Sequence, residues 1–304
     1  MMMKMPLTAS KEYITQTRFI FHCHVKIKIP LVYGEHVLNQ CFDLLHDIDK
    51  RYNSYQSGSY FDQINKSSGT WVLVDQQCIE LLEVLLHVSD LTKGGFDITC
   101  MPLLRLWGFY QSFNEDIPSP KDLQECLERV NYQTILIKEN YVKIAKGQEI
   151  VTGSFLKAFA VDKVIDFLKK QNITDAIINA GGSTIMGIND NTHESWTINV
   201  SDPFKDKNFY KNESISNQCF SISGRANNNL VIQGKTYGHI LNPINGLPVT
   251  TRQVEVISKK AFIGDVLSTA IFALNQDQVE TTIDRLKKYF EFEYYRIEDN
   301  NENI

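Results

Sequence analysis

The sequence predicts an α+β protein. Strand-type and helix-type periods alternate irregularly, without the regular strand–helix–strand series of a parallel sheet. A length of 304 residues suits one large domain or two intimately packed ones. Hydrophobic content of 43% and charged content of 22% supply a substantial core and an ordinary soluble surface.

Arg18 to Pro30 alternates as one strand, and Glu35 to Asp49 carries an apolar stripe of Val37, Leu38, Cys41, Leu44, Leu45 and Ile48, the mark of an amphipathic helix. Asn53 to Asn65 is a polar loop holding Tyr55 and Tyr60, aromatic rings that suit a flat ligand or an ordinary surface. Trp71 to Val74 reads as a short strand, and Asp75 caps a helix over Gln76 to Thr92. Gly94-Gly95 then allows positive φ or close backbone approach. Pro102 ends that local structure, and Leu104 to Tyr110 offers an aromatic wall. Residues 113–119 mark the weakest internal boundary, and Ser119-Pro120 opens a helix to Val130. Thr134 to Ile137 and Tyr141 to Ile144 form a hairpin. Phe155 to Gln171 is a long helix, followed by a buried strand over Asp175 to Asn179 and a glycine turn into Thr184 to Gly187. Ser195 to Val200 is a strand, Asp202 to Ser216 a polar excursion, and Cys219 to Ser223 pairs with Asn229 to Gln233. Gln253 to Ser258 is a strand, helices follow from Gly264 and over Gln276 to Tyr289, and Phe290 to Arg296 is a last strand before a frayed tail at 297–304.

Several function classes fall away. A net charge of −5 with a pI of about 5.8 gives no basic face for nucleic acid. The six cysteines are scattered without a Cys-x-x-Cys pair, which argues against a cysteine zinc site and for a reducing compartment. No apolar run reaches membrane-spanning length, and Met1 to His22 lacks a signal-peptide pattern, so the expected location is the cytoplasm.

Three places carry chemistry. Tyr237 to Thr251 (Y-G-H-I-L-N-P-I-N-G-L-P-V-T-T) holds His239 between a strand end and two stiff turns, a position for proton transfer or for capping a turn. Asp265 and Thr269 share a helix face with Ser268 beside them, a set of hard oxygens that suits Mg²⁺, or else an aspartate serving its own helix N-terminus. Gly153-Ser154 opens a helix whose free amide groups suit phosphate, with Lys157 one turn inside.

Together these stretches resemble the ApbE-type family of FAD:protein FMN transferases, in family order from about Asp47 to Leu274. Asn53 to Asn65 resembles the family's S-x-Y…S…N segment, and Gly94 to Phe109 is similar to its G-x-F-D-x-T…P-L…L-W-G-F block. Gly153 to Asp162 resembles G-G-I-A-K-G-Y-A-V-D, Gly238 to Val249 resembles H-I-x-D-P-x-T-G-x-P-V, and Gly264 to Ala270 resembles A-D-A-L-A-T-A. The resemblance implies two intimately packed subdomains with largely antiparallel sheets flanked by helices. It implies Mg²⁺ on the FAD pyrophosphate and attack by a serine or threonine hydroxyl of a target flavoprotein, with AMP leaving. It casts His239 as base, Ser154, Asp265, Ser268 and Thr269 at the metal, and Tyr55, Gly95, Phe96, Asp97, Lys157 and Ile240 at the flavin nucleotide. The chain departs from the pattern at Val151 and Asn242, where the family carries aspartates, at Ala158-Phe159, and in lacking the early M-G-T motif. Two other outcomes share this site: hydrolysis of FAD to FMN and AMP, and flavin binding without turnover, which Val151 motivates.

Overall fold

The computed structural model describes residues 11–110, 116–205, 208–225 and 229–298. Its elements in chain order are β1 (Tyr13–Ile20), β2 (Cys23–Pro30), α1 (Gly34–Tyr52), α2 (Tyr60–Lys66), β3 (Val72–Leu73), α3 (Gln76–Leu91), α4 (Met101–Trp107), α5 (Pro120–Leu127), β4 (Leu136–Lys138) and β5 (Tyr141–Lys143). There follow α6 (Leu156–Lys170), β6 (Ala176–Ala180), β7 (Thr184–Ile188), β8 (Trp196–Ser201), β9 (Phe209–Ile215), β10 (Gln218–Gly224), β11 (Asn229–Ile232), β12 (Lys235–Gly238), β13 (Thr251–Ser258), α7 (Ala261–Ala273), α8 (Val279–Leu286) and β14 (Phe292–Glu298).

The central feature is a seven-stranded sheet in the order β1-β2-β6-β7-β10-β13-β14, antiparallel at every described pairing. Alternation decides its two faces. Ile178 and Met186 turn toward α1, α6 and α7 and join the main core, whereas Ile177, Ile185 and Phe220 turn toward the β8–β9 ribbon and pack on Trp196, Ile198 and Ile215. A third, small core gathers Leu103 and Trp107 of α4, Cys126 of α5, and Leu230, Ile232 and Leu241 from the chain around β11–β12. Cys41 and Cys78 are fully buried free thiols, as their helix faces predict.

The α+β class and the β4–β5 hairpin stand as the sequence indicates. Other elements differ, each for a local reason. The expected strand Arg18–Pro30 instead spans the end of β1, a turn at Phe21 and His22 with φ of 54° and 57°, and β2, which pairs back on β1. Neither residue is the Asn or Gly that marks such a turn. Pro102 does not end structure; it stands in the first turn of α4, where its missing N–H costs nothing. Within the Asn53–Asn65 loop, Ser59 accepts from the amide of Asp62 at 3.1 Å and starts α2. The polar excursion after Asp202 returns as β9. The strand Cys219–Ser223 pairs with β7 and β13, not with Asn229–Gln233, which pairs with β12. The expected helix Gln276–Tyr289 divides into one 3-10 turn and α8. Residues 297–298 belong to β14, while 299–304 of the expected tail and 113–115 of the expected boundary lie outside the described residues.

Candidate active site

α7 is buried along nearly its whole length. It starts at Ala261 because Asp162 of α6 accepts from the amides of Ala261 and Phe262 at 2.9 and 3.0 Å, capping one helix with the side chain of another. Burial pushes the Asp162 carboxyl up, against the pull of those two amides. Gly264 lets α7 lie directly on the sheet, since a Cβ there would stand 2.6 Å from Ser258 Oγ and 2.7 Å from Ser221 Oγ.

This packing places Asp265 deep in the protein, 5% exposed. Its Oδ2 lies 3.2 Å from Lys157 Nζ, and its Oδ1 accepts from Thr184 Oγ1 at 3.1 Å. Lys157 also donates to Thr184 Oγ1, closing a three-membered network between α6, β7 and α7. Burial raises the Asp265 carboxyl; Lys157 and the Thr184 hydroxyl draw it back only in part. One turn along, Ser268 Oγ donates to the Asp265 carbonyl at 3.0 Å. Ser223, near the end of β10, brings its hydroxyl within 2.9 Å of Ser268 Oγ and 3.4 Å of Thr269 Oγ1. No cluster of three or more His, Cys, Asp or Glu side chains exists among the described residues. A cation here would meet one carboxylate and neutral oxygens. That donor set fits a hard divalent ion completed by water and ligand oxygens, and does not fit a soft metal.

His239 follows β12 directly and is half-buried, with half-buried Ile240 beside it packed on the main core. The turn after it is tightly held. Asn242 is buried; its Oδ1 accepts from the Ile244 amide at 2.8 Å, and its Nδ2 donates to the Ala273 carbonyl at the end of α7 at 3.2 Å. Trp107 Nε1 donates to the Gly246 carbonyl at 2.8 Å. Gly246 has φ of 72°, and a Cβ there would press on Leu103 and Leu123 at 3.0 and 3.1 Å, so glycine answers both the turn and the packing. Asn242 is thus a brace between this loop and α7, a role that uses its amide donor. Arg225 Cγ lies 3.2 Å from the position of a Cβ on Gly238, which sets the chain just before His239 against the chain just after Ser223 and Gly224.

Tyr55 stands in an aromatic row. Its ring is 5.0 Å from Tyr110 and 6.0 Å, edge-on, from His22 at the β1–β2 turn, and Arg105 lies over Tyr110. Burial pushes the Tyr55 hydroxyl up to about 12. Gly95, Phe96 and Asp97 turn their side positions inward. A Cβ on Gly95 would stand 2.7 Å from Leu274 Cδ2; Phe96 is in the core. Asp97 Oδ1 accepts from the Thr99 amide and hydroxyl, both at 2.7 Å, and its Oδ2 accepts from the Tyr132 amide at 2.8 Å. Burial raises the Asp97 carboxyl in spite of these donors. Gly94 and Asp97 also border a cavity with Tyr132. Val151 is buried, its amide bonded to the Ile98 carbonyl at 2.8 Å.

Of the residues expected at the site, Lys157, Asp265, Ser268 and Thr269 form one hydrogen-bonded cluster. Ser154 stands half-buried in the turn before α6, three residues ahead of Lys157 and outside that cluster. α6 starts without a side-chain cap, leaving its first amides unclaimed by side chains. Thr184 and Ser223 are members the sequence reading lacks, and Asp162, which caps α7 from α6, is a further residue it does not single out. A larger cavity, about 400 Å³, opens away from this cluster, between Asp90, Lys93, Tyr132 and Ile244.

The chain is 26% identical over 255 residues to the FAD:protein FMN transferase of Klebsiella pneumoniae (strain 342), covering 81% of this chain and 78% of the relative. It is 26% identical over 283 residues to the FAD:protein FMN transferase of Buchnera aphidicola subsp. Baizongia pistaciae, covering 90% and 79%. Its fold superposes on the ApbE protein of Thermotoga maritima with a TM-score of 0.83 at 24% identity, over 94% of this chain and 97% of that one. The apo form of the flavinyl transferase ApbE of Pseudomonas stutzeri gives 0.82 at 22% identity, over 96% and 92%. The pattern of the ApbE family matches residues 21–292, and the chain belongs to that family.

Proposed function

We propose that this chain is a flavin transferase: it moves the FMN part of FAD onto a serine or threonine hydroxyl of a target flavoprotein, depends on Mg²⁺, and releases AMP. The observation that carries this reading is the buried Asp265–Lys157–Thr184 network with Ser268 and Thr269, one strand end away from the His239 loop. Asp265, Ser268 and Thr269 of this network would hold the ion, with Ser154, in the turn before α6, as a further oxygen donor. When bound, Mg²⁺ offsets negative charge on the pyrophosphate oxygens.

The other residues act as follows. Lys157 adds a fixed positive charge where the phosphoryl oxygens gain negative charge. The uncapped start of α6 presents amides to the same oxygens. Tyr55, backed by Tyr110, walls the flat ring system; Ile240 gives it an apolar edge; Gly95, Phe96 and Asp97 offer backbone groups on a segment their own side chains hold rigid. His239 takes the proton as the acceptor hydroxyl oxygen bonds to the FMN-side phosphorus. The bond from that phosphorus to the bridging oxygen breaks, and AMP leaves with the electron pair.

The test is to incubate the protein with FAD, Mg²⁺ and a candidate acceptor domain and weigh the acceptor. A mass gain of one FMN is expected. Free FMN with an unmodified acceptor would move the reading to hydrolysis, and bound but unreacted FAD would end the transferase reading.

A further inference from the structure

Ser221 and Ser223 leave β10 on the same face and meet α7 one turn apart, Ser221 at Gly264 and Ser223 at Ser268. The Ser223 contact begins a chain of hydrogen bonds that runs one way. Ser268 Oγ has a single hydrogen and gives it to the Asp265 carbonyl at 3.0 Å, a group that can only accept. The 2.9 Å contact between Ser268 Oγ and Ser223 Oγ is therefore made by the Ser223 hydrogen. Ser223 then has no hydrogen left for Thr269 Oγ1 at 3.4 Å, so the Thr269 hydrogen makes that contact. The order is Thr269 to Ser223 to Ser268 to the Asp265 carbonyl. Burial deepens along it: Thr269 is half-buried, while Ser223 and Ser268 are 8% and 0% exposed. Shut off from solvent, the inner hydroxyls depend on one another for partners.

We infer that Ser223 is a positioning residue for the cation: it draws the Thr269 hydrogen inward, so that the Thr269 oxygen presents its lone pairs to the ion. This rests on the reading of Asp265, Ser268 and Thr269 as the ion's ligands and adds what sets the orientation of one of them. A hydroxyl oxygen meets a hard cation through a lone pair, with its hydrogen turned away. A free threonine hydroxyl rotates, and half of its settings aim a hydrogen at the cation or hide a lone pair from it. In a helix its ordinary acceptor is a carbonyl one turn back, here that of Asp265, which Ser268 holds. Ser223 supplies another acceptor from a different element and fixes the rotor before any ion arrives, and Ser268 keeps Ser223 in that role by taking its hydrogen. The Asp265 carboxylate is served separately, by Lys157 and Thr184. The influence of Ser223 is thus confined to the hydroxyl side of the cluster.

The probe is Mn²⁺, a hard ion with the same taste for oxygen, whose binding to the full chain is read by electron paramagnetic resonance without FAD. Ser223→Ala should raise the Mn²⁺ dissociation constant about threefold to tenfold, the size of one hydrogen bond. FAD affinity without a divalent ion, read by flavin fluorescence, should stay within about twofold. Ser223→Cys keeps the bulk and offers only a weak donor and acceptor; it should weaken Mn²⁺ in the same way, and it carries the test if the alanine variant does not fold. A double-mutant cycle separates orientation from mere packing. Thr269→Val removes the hydroxyl that Ser223 acts on, so adding either Ser223 change to it should leave Mn²⁺ affinity within about twofold. Native Mn²⁺ affinity in the Ser223 variants overturns the proposal, as does a loss as large in the Thr269→Val background as in the native protein. Asp265→Asn is the control: if it binds Mn²⁺ as tightly as the native protein, the metal reading itself fails, whatever the Ser223 variants do.

Discussion

At Asp265 two effects oppose each other: burial favours the neutral acid, while Lys157 and Thr184 favour the carboxylate. Asp265→Asn keeps the size and one acceptor but removes the charge, so it should abolish Mg²⁺-dependent turnover with an unchanged far-ultraviolet circular dichroism spectrum; wild-type turnover would refute the metal role. His239→Ala should slow transfer by roughly 10²–10⁴-fold while FAD affinity holds, and a near-normal rate would point to another base. Asp162 gives a prediction of a different kind. Its folded pKa lies above the unfolded value, so folding takes up a proton. Its ionisation then works against the fold: the cost is absent in acid and reaches full size once pH exceeds the raised folded value. Asp162→Asn removes that titration. Its stability relative to the native protein should improve as pH rises from about 4 to about 7, measured by urea melts, and a difference that shrinks with pH would be the contrary result. These residues were unequally legible. Asp265, Ser268 and Thr269 lie within one helical turn, and their spacing alone puts them together. Thr184 and Ser223 reach the same place from β7 and β10, Asp162 reaches the start of α7 from α6, and only the tertiary packing brings them there.

Helices were easier to read than turns, because a helix repeats its signal over many residues and a turn states it once. α3 shows both. Its cap Asp75 was plain in the sequence, and accepts from the Cys78 amide at 2.8 Å. Its far end closes with the Gly94 amide on the Ser89 carbonyl at 2.9 Å and the Lys93 amide on the Asp90 carbonyl at 3.0 Å, a Schellman arrangement. This puts exposed Lys93 at φ of 53°, a left-handed position suited to glycine. Lys93→Gly should therefore stabilise the protein by about 1 kcal/mol, read as a higher denaturation midpoint; a lower midpoint would show that the lysine side chain contributes more than its backbone costs. Phe21 and His22 hid the first hairpin in the same way, by taking left-handed φ without a glycine to announce it.

Across the whole molecule, the residues proposed for the chemistry are divided between two cores. Asp265 and Lys157 belong to elements of the main core, whereas the His239 loop is held by the small core of Leu103, Trp107, Leu230, Ile232 and Leu241. The two meet through Asn242 and the end of α7. Trp107→Ala should cost about 3–5 kcal/mol locally. Amide exchange should quicken in residues 229–249 while β6, β7 and β10 keep their protection; uniform loss across the sheet would mean that the small core is not separate. The α+β class followed from the irregular alternation of patterns, but strand order did not. Every strand of the main sheet reads as apolar alternation, and nothing local says that β2 joins β6 or that β10 lies between β7 and β13.

That strand order has a consequence for synthesis on the ribosome. The inner edge of β2 pairs Val25 with Ala180, so a newly made β1–β2 hairpin must wait for the chain from position 25 to position 180 to emerge. At ordinary elongation rates the delay is on the order of ten seconds, during which an unpaired strand invites intermolecular pairing. Lys26 and Lys28 alternate with Val25, Ile27 and Ile29, and charges spaced along a strand in this way disfavour its pairing with another chain while β6 is not yet made.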